Sequence, residues 1–419
     1  MKGDETMKTM KLIMLASATT LLAIVLPIGA IAQSEAPPVL RAHDLAPDEL
    51  LAGPDFKVDD VVPTDGFYGI FMVRGAYGSV QAHGVAMLRV RAAEMQALGK
   101  LEEMTRREAM VEGAKDSAKQ TRHAAGQTIR DPAGTVEKAP ESVGRLFSRL
   151  EGKVEKRIEK LTGTGDSSAP SDQREGIAKT RRSLAQQLGV DPYTDNPLLS
   201  AKLDQVARWE RAGALALSIG TSGASIWAGI ASKTLTLVCT MSPEEVRVAN
   251  ERRLVSLAPG ASADEIRVFL RNPAFTPTTQ TLFVDQLESL PVTRGRESLV
   301  RLAGEMENYD QGRFLIVATG LLTTYHKRVA PLSSVESRDR LAVGLTSAGS
   351  VIVAVPVDCL AWTDRLVEFG SRSDLRAAQR EILITGGVTF RTRQELSARG
   401  WVLRERFQYE DLGRGRKQE

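Results

Sequence analysis

The chain has 419 residues, 42% hydrophobic and 26% charged, which are values of an ordinary globular protein with material for roughly two or three cores. A formal charge of +3 is too weak to argue for a nucleic-acid partner, and four histidines leave almost nothing for a His-rich metal site. Aromatic residues are only 5%, so the cores must be built from Leu, Val, Ala and Ile, which leans the chain towards helix.

Residues 1–32 have the pattern of a signal peptide. Lys8 and Lys11 precede an uncharged run from Leu12 to Ile28, Pro27 and Gly29 break it, and Ala30-Ile31-Ala32 is an A-x-A cleavage site before Gln33. No Cys follows the cut, which argues against a lipoprotein anchor; an uncleaved N-terminal anchor is the alternative. Removing residues 1–32 leaves 387 residues with a charge near +2, expected in the periplasm or outside the cell, with membrane association as the alternative. Residues 33–66 carry Pro37, Pro38, Pro47, Pro54 and Pro63 among acidic residues and read as an extended, loosely ordered lead-in.

Residues 67–161 read as a β-hairpin followed by long amphipathic helices. Phe67–Val73 and Tyr77–Ala82 are rich in aromatic and branched residues, with Gly75-Ala76 as the turn between them. From Val85 the period becomes helical, with Leu88, Met95, Leu98, Leu101 and Met104 near one face as far as about Ala118. Val143–Leu161 is a second amphipathic helix whose basic surface (Arg145, Arg149, Lys153, Lys156, Arg157, Lys160) is diluted by Glu151, Glu155 and Glu159. A solvated outer face suits that mixture better than an anionic membrane surface. Residues 162–176, rich in Gly, Ser and Pro, read as a linker.

A helical domain is expected over 177–328. Its first helix runs from about Ile177 to Leu188 and stops at Gly189; Asn196 and Pro197 then start another with Leu198, Leu199, Leu203, Val206 and Trp209 on one face. Their connection is too long and Pro-rich for a DNA-reading helix-turn-helix, so an αα-hairpin is expected and nucleic acid is not. Residues 212–232 hold 21 uncharged residues diluted by Gly213, Gly220, Gly223 and Gly229, a run suited to close packing, with membrane entry as the alternative. Ser242-Pro243-Glu244-Glu245 and Ser262-Ala263-Asp264-Glu265 are capping boxes, Thr276-Pro277 starts a third short helix, and longer helices are expected over 297–308 and 311–328.

Residues 329–408 change character. Leu341–Thr346 and Val351–Val357 read as strands of a hairpin, followed by helices around 363–369 and 373–380. Glu381–Thr385, the Gly386-Gly387 turn, a helix over 389–399 and a strand from Trp401 then form a β-α-β unit. Residues 409–419 are a tail.

The segment from Lys179 to Asp204, centred on Leu188-Gly189-Val190-Asp191-Pro192-Tyr193-Thr194-Asp195-Asn196-Pro197, resembles a recurring segment of secreted bacterial proteins with no assigned activity. Gly75-Ala76-Tyr77-Gly78 ahead of a long helix, and Thr385-Gly386 with Gly400-Trp401, are similar to further parts of that family, so the resemblance covers most of the mature chain. It implies an exported protein and transfers no catalytic residue.

The residues themselves offer little chemistry. An oxidising compartment allows one disulfide between Cys239 and Cys359, while their apolar neighbours equally suit two free buried thiols. Gly386-Gly387 before a helix could cradle an anion but lacks any phosphate-loop pattern, so it reads as a turn. His326 suits the end of a helix, His83 lies at the hairpin exit, and Asp358-Cys359 has no His placed beside it by any motif. No catalytic, cofactor-binding or metal-binding residue is assigned. The expected fold is α+β, mostly helical, with an N-terminal β-hairpin and a small C-terminal α/β unit. The expected function is that of an exported envelope protein acting through contacts with a protein partner. Membrane association or pore formation through 143–161 and 212–232, and a secreted enzyme of unrecognised type, are the alternatives.

Overall fold

The structure, a computed structural model, describes residues 34–124, 171–211, 232–292 and 294–408. The leader, the 143–161 helix, most of the 162–176 linker, the 212–232 run and the 409–419 tail lie outside these residues. The chain divides into two units, Met1–Glu35 and Ala36–Glu419, and the elements that follow belong to the second.

The first elements are β1 (Val39–Arg41), α1 (Ala42–Leu45), β2 (Ala52–Gly53), β3 (Phe56–Val58), β4 (Val61–Pro63), β5 (Ile70–Gly75) and β6 (Gly78–His83). Strands β2-β3-β5-β6 form an antiparallel sheet, and β1 pairs with β4 as a separate ribbon. Residues 39–63 are therefore folded into short strands and turns, where the composition suggested a loosely ordered lead-in. Phe56, Val58 and Val62 are buried, and the prolines sit where they cost little: Pro63 ends a strand of a two-stranded ribbon and Pro47 precedes a single 3-10 turn. In the hairpin Gly75 pairs with Gly78, so the turn is Ala76-Tyr77, one residue later than the composition suggested.

Helices follow: α2 (Val85–Ala124), α3 (Ser171–Leu188), α4 (Pro197–Arg211), α5 (Ser232–Thr240), α6 (Pro243–Leu257), α7 (Ala263–Arg271), α8 (Pro277–Ser289), α9 (Arg296–Gly304) and α10 (Tyr309–Arg328). The α3 helix begins inside the expected linker, because Asp172–Glu175 favour helix and the Arg182 guanidinium reaches back to Glu175 at 2.8 Å. Both capping boxes form: the Ser242 and Ser262 hydroxyls accept from the Glu245 and Glu265 amides, and the glutamates accept in return. The helix expected over 297–308 stops at Gly304, where the Asn272 side-chain amide donates to the Ala303, Gly304 and Met306 carbonyls and supplies partners that a helix end lacks.

The C-terminal part holds β7 (Leu332–Arg338), β8 (Leu341–Thr346), β9 (Val351–Val355), β10 (Cys359–Leu360), α11 (Asp364–Ser371), β11 (Arg380–Ile384), β12 (Gly387–Val388), α12 (Phe390–Ala398) and β13 (Trp401–Arg404). The main sheet has the order β13-β11-β9-β8-β7; β9, β11 and β13 are parallel, and β7, β8 and β9 pair antiparallel. The β-α-β unit is as the pattern predicts. The helix expected over 373–380 is only a 3-10 turn at Ser373–Leu375, since Arg372 donates to the Asp374 carboxylate two residues on and closes the chain into a tight turn.

Val351–Val355 is buried at every position, the signature of a strand covered on both faces. Ile352, Ala354 and Leu383 join the core of α5–α10, whereas Val351, Val353, Ile382 and Ile384 pack with Leu366 of α11 and Leu396 of α12. The helical 177–328 and α/β 329–408 domains therefore share a core. A third cluster joins β3, β5 and α2 to Leu184, Leu199, Leu203 and Trp209, so α3 and α4 share a core with the N-terminal module, while α3 also packs against α5. The protein is α+β and mostly helical, with an N-terminal hairpin and a C-terminal α/β unit. Among the described residues no helix is long and apolar enough to cross a membrane.

Candidate functional site

The densest polar chemistry lies in the Leu188–Pro197 loop and the helices around it. Glu94 on α2 is buried and receives Arg91 Nη1 at 2.7 Å, Asn196 Nδ2 at 3.1 Å and the Thr194 hydroxyl. Arg91, equally buried, also donates to Asp195 at 2.8 Å. Both charges are thus paired and hydrogen-bonded, as burial requires. Asn196 also accepts from the Leu198 amide at 3.1 Å, so the residue that starts α4 is tied to α2 at the same time.

Asp191 sits deeper. Its Oδ1 accepts from the Tyr193 amide at 2.8 Å and from the Thr278 hydroxyl of α8 at 2.6 Å, with no cation in direct contact among the described residues. Burial pushes its carboxyl up to about 6, against the pull of those two donors, and the Glu94 charge adds to the push. The loop therefore ties the N-terminal module through Glu94 and the later helices through Thr278. Asp191, Thr194, Asp195 and Asn196 of this loop are each hydrogen-bonded.

A second junction lies where β9 ends. The amides of Asp358 and Cys359 donate to the Phe67 carbonyl at 2.9 and 3.1 Å, and that of Ala361 donates to the Gly66 carbonyl at 2.9 Å. In return the Asp358 carboxylate accepts from the Gly69 amide at 3.0 Å and from Val85, the first residue of α2, at 3.1 Å. A carboxylate at a helix N-terminus meets unsatisfied N–H groups and the positive end of the dipole. Nothing near residue 85 announces this cap, because it arrives from 273 residues away.

The other singled-out residues are accounted for by structure. A Cβ at Gly386 would run into the Asp358 backbone, and the Gly386 and Gly387 amides already donate to Val357 and Asp358 carbonyls at 2.8 and 3.0 Å, so this turn offers no cradle for an anion. His326 Nδ1 accepts from the Leu332 amide at 3.1 Å, which closes the passage from α10 to β7. His83 is half-exposed, with Nδ1 3.5 Å from Asp310. No disulfide joins Cys239 and Cys359 in the structure; both are buried, Cys239 in the helical core and Cys359 in β10, where it pairs with Gly387. Burial pushes the Cys239 thiol up to about 12, the reverse of what a nucleophile needs.

An open cleft of about 510 Å³ lies between Asp339, Arg365, Glu368, Phe369, Arg372 and Asp374. Its Arg372 is held by Asp374 at 2.6 Å and by the Arg338 carbonyl at 3.0 Å, so the cleft wall is braced by its own charges. No cluster of His, Cys, Asp and Glu among the described residues is suited to a metal ion. No protein-family model matches the chain, and no curated protein or solved structure was found to be similar to it.

Proposed function

We propose that this chain is an exported envelope protein, related to the secreted bacterial proteins that share the Leu188–Pro197 type of segment, and that it acts by contact with another protein. The carrying observation is where the buried and half-buried ionisable groups go. Glu94, Arg91, Asp191 and Asp358 each bond to scaffold groups, and they hold separate junctions of the fold together. Catalytic acids and bases need a shared cleft in which to meet substrate. The open cleft at Asp339–Asp374 lies beside none of these four residues. The surface meanwhile presents large apolar side chains singly, with Phe390 at 83% exposure at the start of α12 and Val402 on β13. Aromatic side chains of that kind anchor protein contacts.

The test is photo-crosslinking in the living cell from positions 390 and 402 of the full chain. A discrete adduct with one envelope protein is the expected outcome. Turnover by the purified chain in a panel of hydrolase substrates, or recovery of the chain with its leader intact in the cytosol, overturns the reading.

A further inference from the structure

Between Arg380 and Gln408 the chain carries six arginines and three glutamates. Each glutamate is held by one arginine: Glu381 by Arg404, Glu395 by Arg399 at 2.5 Å, and Glu405 by Arg393. Arg380 is engaged inside the fold, lying over the Trp401 ring and donating to the Arg399 carbonyl. Arg391 and Arg406 remain, and no carboxylate among the described residues pairs with either. The Arg406 amide donates to the Gly386 carbonyl at 2.8 Å, and the Glu405 carboxylate accepts from the Val388 amide at 3.2 Å and from Arg393. Phe390, between Val388 and Arg393 in the chain, therefore lies at the same corner, where β13 ends and α12 begins. Phe390 is 83% exposed, Arg406 is exposed and Arg391 is half-buried.

We propose that this corner is the docking point for an acidic segment of the protein partner, with an apolar part of that segment against Phe390 and its carboxylates on Arg391 and Arg406. This rests on the reading of the chain as a contact protein and adds the partner's chemistry to it. Covering Phe390 removes apolar surface from water, which favours contact. The same contact takes water from the two guanidiniums beside it, and enclosing an unpaired charge costs more than burying one aromatic ring gains. The glutamates of this stretch are already held by other arginines, so the compensating carboxylates must come from the partner. A neutral or basic partner meets the cost without the compensation. A bilayer fits less well, because binding to a membrane surface draws on a broad apolar face, and here one aromatic stands beside Arg391, Arg393, Glu405 and Arg406.

A photoreactive phenylalanine analogue at position 390 of the full chain, activated in the living cell, tests it once the adduct is digested and sequenced. The expected adduct joins position 390 to a partner segment in which Asp and Glu outnumber Lys and Arg. Arg391→Gln combined with Arg406→Gln is expected to cut the adduct yield about tenfold, and each single variant by a smaller factor, because charges at the rim of the contact are lost. Neither side chain bonds to the fold among the described residues, so these variants leave no group of the fold without its partner. Arg376→Gln, which alters an arginine exposed like Arg406 but ahead of the N-terminal end of β11, leaves the yield unchanged. Full yield in the double variant, an equal loss in Arg376→Gln, or a joined segment in which Asp and Glu do not outnumber Lys and Arg overturns the proposal. So does an adduct with lipid, or with residues 409–419 of the same chain. An adduct from position 402 with none from 390 overturns this corner and leaves the contact reading standing; silence at both positions overturns both.

Discussion

Glu94 and Asn196, 102 residues apart, are joined by a 3.1 Å hydrogen bond from the Asn196 side-chain amide to the Glu94 carboxylate. Through this bond the residue that starts α4 also grips α2. The same carboxylate holds Arg91, so one buried anion fixes a helix start, a loop and a neighbouring cation. Removing one member of such a group is far costlier than the group's net contribution, because the remaining charge is left buried without a partner.

Glu94→Ala is therefore expected to lower stability by about 3–5 kcal/mol, and Glu94→Gln by about 1–3 kcal/mol, in urea unfolding. Arg91→Met added to Glu94→Gln should recover part of the loss. A purely additive double variant would show that the two side chains do not act together.

Asp191 gives stability a pH dependence of defined sign. Its carboxyl is raised from 3.8 to about 6 on folding, so in that window the folded chain binds the proton more readily than the unfolded one. Its contribution is greatest below about pH 4, falls by up to about 3 kcal/mol as pH rises to about 6, and is flat above that. The exposed Glu265, lowered to about 2 first by the Arg301 hydrogen bond and then by Ser262, works oppositely and loses its contribution as pH falls from about 4.5. Chemical denaturation at pH 4.5, 5.5, 6.5 and 7.5 reads the slope, and Asp191→Asn should reduce it, leaving the share of Asp358, whose carboxyl burial also pushes up to about 6.

Two glycines with similar backbone angles should respond differently to alanine. Gly295 has a φ of 91°, and a Cβ there would collide with the Val335 carbonyl of β7; Gly349 has a φ of 79° and open space around it. Gly349→Ala is expected to cost about 1–2 kcal/mol, the penalty of the left-handed conformation alone. Gly295→Ala adds a backbone clash and should cost about 3 kcal/mol or more. Thermal denaturation of the two variants separates conformation from collision, and equal losses would refute the distinction.

The thiols provide a chemical check. Native protein is expected to resist a thiol reagent at pH 8, because both cysteines are buried and burial holds the Cys239 thiol protonated. In urea, without reductant, two thiols per chain should react. A disulfide would give none.

Legibility followed the range of the interactions. The capping boxes at Ser242 and Ser262 were readable because donor and acceptor lie three residues apart. The β-α-β unit was readable because Glu381–Thr385 and Trp401–Arg404 are apolar strands on either side of a capped helix. Leu332–Arg338 was missed as a strand because Leu-Ser-Ser-Val-Glu-Ser-Arg has too few apolar residues; its pairing is set by β8 and by the Arg294 carbonyl, which takes the Val335 amide at 3.0 Å. The strands of 39–63 were hidden by prolines and by their brevity. The Leu188–Pro197 loop stood out in the sequence, yet Thr278 and Glu94 as its partners did not.

The amino-acid order alone settled the element types across most of the described residues and the α+β class, since helix caps, periodicity and turn residues act within a few positions of one another. Tertiary structure decided which elements share a core, that α3 and α4 join the core of the N-terminal module, and that Asp191 and Asp358 hold junctions together. Burial and contact between distant residues are properties of the folded chain. A carboxylate's partners 87 or 289 residues away leave no mark on its neighbours in sequence.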